Sequence, residues 1–500
     1  METNWLDYDW SVMLPEATIA AAVLLLLVID MLMKKEQDRR FIGLLSLFAV
    51  LAAGVAVAFG FGKEQTLILD GSYLVDDFSL VFKLLILGGT TLILLSALSQ
   101  EKSKEIDYKG EFYYLLLAAT LGGMVMVSSA DLITLFVGLE ILSIASYILV
   151  GMRKKRLESV EAAWKYVVMG SVATAFILYG MSFLYGLTGS TNLDVVAERI
   201  FEVTRGGYDS FVYLSLLLML VGFTFKAASA PFHMWAPDVY QGAPTPVTTF
   251  LAVVSKTAAI AFILRILRNA YLPGLWSMGE WQDVVSKILI AIAVASMIIG
   301  NVVALRQTNT KRLLAYSSIA HAGYLLVPLA LFASIPQFIV GNDVFFGSIV
   351  YYLLAYMLMT TGAFAVLTII ERDRQDTDIR AFAGLYRRSP WLAIAMSIFL
   401  ISLAGIPITA GFFGKFYILL NAIIVRNLWV AGIMMVTTVI SYYYYFGIIR
   451  QMFFRPPTES KKISIPLGLA IVIVIGVIGT IGLGIMPKWV IEFVEGLSWY

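Results

Sequence analysis

The chain has 500 residues, of which 60% are hydrophobic and only 14% charged, and its mean hydropathy is +0.84. Soluble domains run at about 45–50% apolar and about 25% charged residues, so this composition excludes a soluble enzyme and describes a polytopic membrane protein. The net charge of +2 gives no reason to expect nucleic acid as a partner, and the lack of cysteine with only two histidines, His233 and His321, excludes thiolate-ligated iron–sulfur clusters and cysteine zinc sites and argues against haem.

The opening stretch, METNWLDYDWSVMLPEAT, is acidic and is not expected to be a cleaved signal peptide. A spanning helix needs roughly 20 mostly apolar residues. Apolar runs centre in order near Leu24, Val50, Ile86, Ala119, Ile141, Ile177, Leu218, Val254, Ala291, Leu326, Leu358, Phe399, Met435 and Val474. They predict about fourteen transmembrane helices in one all-α membrane domain, with both termini on one side. No GxGxxG or P-loop sequence opens a helix after a strand, so no nucleotide site is expected. Any redox cofactor then belongs to partner subunits.

Orientation follows from the basic loops. Lys34, Lys35, Arg39 and Arg40 follow the first span, and Lys102, Lys104 and Lys109 follow the third. RKKR at Arg153–Arg156 follows the fifth, Arg306, Lys311 and Arg312 the ninth, five arginines from Arg372 to Arg388 the eleventh, and Arg450, Arg455, Lys461 and Lys462 the thirteenth. The loops after even-numbered spans are poor in lysine and arginine. The odd loops are therefore expected on the cytoplasmic side of the cell membrane, with both termini outside.

Five lysines remain inside apolar runs: Lys83, Lys165, Lys226, Lys256 and Lys415. A charge near a helix centre costs about 2.5–3.5 kcal/mol on insertion scales. Lys83, one turn into DDFSLVFKLLIL, is expected to snorkel, whereas Lys165 in EAAWKYVVMG, close to a helix start, is open between snorkelling and a secondary place in a proton relay, as is His233. Glu140 is mid-span in DLITLFVGLEILSIASYILVG, the only charge between Asp131 and Arg153. Lys226 stands in FTFKAASAPFHMWAPDVYQGAPTP, where Pro231 breaks the span beside His233. Lys256 is mid-span in TTFLAVVSKTAAIAFIL with nothing near it in sequence to neutralise it. Lys415 ends a second broken segment, LAGIPITAGFFGKFYILL, which carries Pro407.

Burial disfavours the charged form of a lysine and a nearby carboxylate restores it, so moving the carboxylate makes the lysine release or take up a proton. A series of such lysines joined by water is a proton relay, with Ser143, Ser146 and Thr257 placed to hold water. A purely structural reading, with each charge in a buried ion pair, accounts for Glu140 with one lysine and leaves two lysines unmatched. Broken helices are tolerated at membrane depth only where they line a polar cavity. The two breaks fall five spans apart, in spans seven and twelve. That spacing predicts two five-helix repeats, residues 111–270 (spans four to eight) and 285–455 (spans nine to thirteen), inverted because the repeat length is odd. A three-helix segment precedes them (1–110) and one helix follows (460–500). His321, in AYSSIAHAGYLLV of span ten, then takes the place that Glu140 has in span five, and histidine titrates near neutrality.

LPE at Leu14–Glu16, GLEILSIASYILVG, EAAWKYVVMGSVATAFILYGMSFLYGLTGST, FKAASAPFHMWAPDVYQGAPTPVT, KRLLAYSSIAHAGYLL and GIPITAGFFGKFY spread over nearly the whole chain. In these stretches the sequence resembles the antiporter-like membrane subunits of respiratory complex I and of multisubunit cation/proton antiporters. The broken seventh span with its lysine is shared across that superfamily. The KYVVMG and PDVYQGAPTPVT stretches resemble a single complex I subunit. The resemblance implies fourteen helices in two inverted five-helix repeats, and a relay through Glu140, Lys226, Lys256 and Lys415. A related subunit carries a glutamate where Lys415 stands. Departures are small: GFFGKF where many relatives have a tryptophan, and Gln241 where a glutamate is common. By the same resemblance the chain is a proton pump without redox centres, whose partners are other membrane subunits and, through them, a redox arm holding NADH, FMN, iron–sulfur clusters and quinone. The alternative is a subunit of a sodium/proton antiporter with no link to quinone.

Overall fold

The computed structural model describes residues 8–34, 37–99, 109–275, 279–334, 342–457 and 462–499. The residues before Tyr8, and Lys35, Lys102, Lys104 and Lys461 of the basic loops, lie outside them. Among the described residues thirteen helices are long and apolar enough to cross a membrane, as a bilayer core demands of any chain that must satisfy its backbone internally. In order, spans one to six are Leu14–Leu32, Arg40–Ala58, Asp77–Leu98, Lys109–Val127, Leu132–Val150 and Leu157–Thr188. Span seven is Asp209–Lys226 followed by Trp235–Gly242, and span eight runs from Thr245 to Leu275 in several contiguous helical pieces. Spans nine to eleven are Gly279–Ala304, Thr310–Phe332 and Asn342–Arg374. The twelfth crossing is built from two shorter helices, Pro390–Ala404 and Ala410–Ile424, and completes the fourteen. Spans thirteen and fourteen are Leu428–Phe454 and Leu467–Ile485.

Short polar residues start several of these helices at the edge of the apolar run. The Asp76 carboxylate accepts from the Ser79 N–H while the Ser79 hydroxyl accepts from the Asp76 N–H, a capping box that holds span three. Asp131 accepts from the N–H groups of Ile133 and Thr134 at the head of span five, and Asn309 from Arg312 at the head of span ten. Spans eight, ten and eleven are almost wholly enclosed by the others and form the centre of the molecule. Span nine packs along span ten, span four along span five, and span six along the first half of span seven.

Three features differ from the sequence expectation. First, Lys83 does not snorkel. Its side chain is 0% exposed, and Nζ sits 2.8 Å from Glu16 Oε1 and donates to the Tyr73 hydroxyl at 3.3 Å. Glu16, beside Pro15 in the first turn of span one, is itself buried, so the ammonium finds its counter-charge inside. Second, span seven ends at Lys226 itself rather than at Pro231. The chain leaves the helix there and Ala228 takes a left-handed φ of +55°, a conformation no helix continues through. Third, the loop between spans two and three carries a small antiparallel hairpin, Thr66–Ile68 paired with Tyr73–Val75.

Candidate functional site

Span five presents Glu140, Ser143 and Tyr147 at helical spacing on one face. Glu140 is half-buried, and its Oε1 accepts from Thr174 Oγ1 of span six at 2.9 Å. Lys226, the last residue of the first half of span seven, is 5% exposed. Its ammonium donates to the Ser143 hydroxyl and lies 5.4 Å from the Tyr147 ring centroid. Among the described residues no ion pair joins Glu140 to Lys226; the ammonium rests instead at Ser143, about one turn along span five from that carboxylate. Where span seven unwinds, the Phe225 carbonyl accepts from both the Ala228 N–H and the Trp235 indole N–H, each at 3.0 Å. Ser146, expected to hold water, donates instead to the Leu142 carbonyl at 2.7 Å.

Lys256 begins a regular helical stretch directly after a π-helical turn, Leu251–Ser255. Such turns displace the following side chain from its regular position and recur at functional sites. The Lys256 side chain is 1% exposed, and its ammonium donates to both the carbonyl and the hydroxyl of Ser318 on span ten. The Ser318 hydroxyl also accepts from Tyr356 at 2.9 Å and lies 3.3 Å from the Tyr240 hydroxyl. Among the described residues no carboxylate pairs with Lys256. Thr257 is turned away, donating to the Val253 carbonyl at 2.8 Å.

One turn beyond Ser318, His321 is 2% exposed, with Nδ1 2.5 Å from the Tyr352 hydroxyl and Nε2 3.3 Å from that of Tyr445. It lies within electrostatic reach of both Lys256 and Lys415. Lys415 donates to the carbonyls of Leu403 and Ala404, each at 3.0 Å. These end the first half of span twelve, where Gly405 turns the chain at φ +83°. A helix C-terminus carries about half a negative charge, so the break itself holds the ammonium. The Tyr324 ring centroid is 5.0 Å from the same nitrogen.

The structure thus brings Lys256, through Ser318, to within one helical turn of His321, sets Lys415 at the break of span twelve, and holds Lys226 at Ser143 near Glu140. Among the described residues no side-chain hydrogen bond joins Lys226 to the other three. Lys165 stands apart. Its side chain is 39% exposed, and Nζ pairs with Glu161 at 2.6 Å and Asp238 at 2.7 Å. Asp238 also receives Arg312 at 2.5 Å, so Lys165 belongs to a charge network at the end of the bundle that carries the odd-numbered loops. His233 lies half-buried in the break of span seven and makes no hydrogen bond to these lysines.

Sequence reasoning missed the groups between the lysines: Ser318, Tyr240, Tyr324, Tyr352, Tyr356 and Tyr445. Tyr352 and Tyr356 at i, i+4 in span eleven were the available signal, masked by the abundance of tyrosine. It also missed Glu371, whose carboxylate is held by Arg153 at 3.2 Å, Lys311 at 2.9 Å and the Thr245 hydroxyl. Among the described residues no group of three or more histidine, aspartate or glutamate side chains is placed to hold a metal ion.

The family model for the transmembrane part of NADH:quinone oxidoreductase and Mrp antiporter subunits matches residues 129–441. NADH-quinone oxidoreductase subunit N of Brevibacillus brevis is 48% identical over 495 residues, covering 98% of this chain and 95% of that protein. A chain of respiratory complex I from Thermus thermophilus superposes with a TM-score of 0.78 at 34% identity, covering 96% of this chain and 99% of that one. A chain of the Mrp complex from Dietzia superposes at 0.81 but is 21% identical, a likeness of fold alone. With the match running nearly end to end, the chain belongs to the subunit N family of NADH-quinone oxidoreductase, one branch of the antiporter-like membrane subunits.

Proposed function

We propose that Glu140, Lys226, Lys256, His321 and Lys415 form the proton relay of this chain, and that it works as the proton-translocating membrane subunit of an NADH–quinone oxidoreductase. Electrons pass from NADH through FMN and iron–sulfur clusters to quinone in partner subunits, and the energy arrives through neighbouring membrane subunits. The observation that carries this reading is that Lys226, Lys256 and Lys415 are each at most 8% exposed and make no ion pair among the described residues. A structural role would pair them, because an uncompensated buried charge costs several kcal/mol. Hydroxyls, carbonyls and aromatic faces hold them instead, partners that tolerate either protonation state.

Lys226 has two resting places one turn apart on span five, the Ser143 hydroxyl and the Glu140 carboxylate. A change at half-buried Glu140, transmitted from a neighbouring subunit, shifts the ammonium between them and sets whether it keeps its proton. Lys256, His321 and Lys415 pass the proton onward through the tyrosines between them. Residues 111–270 and 285–455 act as the two inverted half-channels, the odd loops face the cytoplasm and both termini face outward. The 48% identity to a subunit N favours quinone-linked pumping over a stand-alone sodium/proton antiporter.

The test has two arms. A tagged chain purified from its membrane is expected to bring flavin- and iron–sulfur-containing subunits with it; recovery of a complex without them would reject the quinone-linked reading. Lys154→Cys, in the exposed RKKR loop of a chain without cysteine, is expected to react with an impermeant thiol reagent only in inside-out vesicles. Reaction in intact cells would reverse the orientation.

A further inference from the structure

Each lysine of the relay has the ring of a tyrosine within reach. The Lys226 ammonium lies 5.4 Å from the Tyr147 ring centroid, that of Lys256 5.4 Å from Tyr356, and that of Lys415 5.0 Å from Tyr324. A ring face carries partial negative charge and attracts an ammonium within about 6 Å of its centroid, most strongly where water is excluded. At Tyr356 and Tyr324 the hydroxyl is engaged as well, donating to Ser318 at 2.9 Å and to Thr437 at 3.1 Å, so ring and hydroxyl act together there. The Tyr147 hydroxyl is turned instead into the space left by Gly170 of span six, where an added Cβ would collide with it.

The Tyr147 ring is buried and fixed by its neighbours. Tyr166 of span six meets it edge-on, with centroids 4.7 Å apart and planes at 88°, and stacks on Trp235 at 4.5 Å. Trp235 opens the second half of span seven, and its indole N–H holds the Phe225 carbonyl next to Lys226. The Phe225 ring centroid is itself 5.8 Å from the same ammonium. Tyr147, Tyr166, Trp235 and Phe225 thus form an aromatic wall that ties spans five and six to both halves of span seven.

We propose that the face of the Tyr147 ring seats the Lys226 ammonium at Ser143, which makes Tyr147 a positioning residue that sets how the lysine divides between Ser143 and Glu140. The inference rests on the relay proposed above and adds the group that balances its two positions. Glu140 attracts the ammonium with a full charge, and a neutral hydroxyl alone competes poorly with it. Tyr147 stands seven residues beyond Glu140, about two turns along span five, so its attraction acts at the Ser143 position and fades at the carboxylate. With the ring in place the two positions are close enough in energy for a change at Glu140 to move the lysine. Without it the lysine stays at the carboxylate. No bond is made or broken in this step; only the place of the ammonium changes.

The test separates the charge of the ring face from its bulk, with proton pumping in vesicles normalised to assembled complex. Tyr147→Leu is expected to lower pumping about tenfold, the scale of one desolvated contact between an ammonium and a ring, and Tyr147→Phe, which keeps the ring face, to recover it. Phenylalanines at position 147 that carry an increasing number of ring fluorines draw charge from the face at nearly constant shape, and pumping is expected to fall stepwise along that series. NADH oxidation by an artificial acceptor is expected to stay unchanged throughout. Equal pumping with fluorinated and plain phenylalanine overturns the proposal, because a packing role does not respond to fluorine. Full pumping in Tyr147→Leu overturns it as well, and Tyr147→Phe as slow as Tyr147→Leu assigns the effect to the hydroxyl and overturns it too. If Tyr147→Leu fails to assemble, the fluorinated series decides alone. Lys226→Met tells this failure from failure of the relay: normal pumping there removes the relay itself, whereas loss there with the fluorinated complexes at full rate removes only the role of the ring.

Discussion

Replacing Ser143 by alanine tests the two-position reading of Lys226 without touching a charge. In this structure the Ser143 hydroxyl is the side-chain acceptor of the Lys226 ammonium, while Glu140 is engaged by Thr174. A hydrogen bond to a charged group contributes about 1.5–3 kcal/mol. At 1.4 kcal/mol per factor of ten, its loss moves the lysine toward Glu140 by roughly ten- to a hundredfold. A lysine pinned at the carboxylate holds its proton, so pumping should fall about tenfold while the complex still assembles, since alanine only removes one oxygen from a helix of high apolar content. Dye-quenching assays of NADH-driven acidification in vesicles, normalised to assembled complex, read this directly. Thr174→Val loosens Glu140 and should act less strongly, because it removes an ordinary partner rather than the lysine's own. Pumping at the unsubstituted rate in Ser143→Ala would refute the idea that Lys226 alternates between these two positions.

Lys256→Met should assemble normally and lose most pumping, and Lys256→Arg should not fully restore it because a guanidinium does not release its proton at accessible pH; normal pumping in the methionine variant removes Lys256 from the path. Gly405→Ala forces a side chain into the left-handed region, at about 1–2 kcal/mol, and sets its Cβ 2.9 Å from Lys415 Cδ, so it should dislodge the lysine and slow pumping. Gly432→Ala, which meets nothing within 4 Å, is the control, and equal rates in the two would contradict the role given to the break. Lys83→Met strands Glu16 in the interior at a cost of about 3–5 kcal/mol and should lower the amount of assembled complex, whereas adding Glu16→Gln should recover it. Full assembly of Lys83→Met alone would show that the Lys83–Glu16 pair is not structural.

The spans were legible because each is a local apolar run, and the two breaks because glycine and proline punctuate them. Glu140, Lys226, Lys256 and Lys415 stood out because a charge in such a run is costly wherever the chain folds. Their partners were hidden because contact in a bundle has no sequence period. Lys256 meets Ser318 from 62 residues away, and Arg153 meets Glu371 across 218. Lys83 was misread for the same reason: its counter-charge is on span one, and a snorkelling lysine and a paired one look alike in sequence. The end of span seven was misplaced because proline was taken as the breaker, whereas the backbone turns earlier, at Ala228. Lys165 was ambiguous at a helix start, and the Asp238 that makes it part of a peripheral network lies 73 residues on.

The central claim is that Glu140 and Lys226 act as one switch. Proton pumping and NADH–quinone activity of membranes carrying Glu140→Gln, Lys226→Met and both together, normalised to assembled complex, test it most directly. Residues that act as a unit are strongly non-additive, so each single variant should lose most of both activities and the double variant should be little worse than either. Losses that multiply in the double variant, or a Glu140→Gln complex that pumps normally, would contradict it.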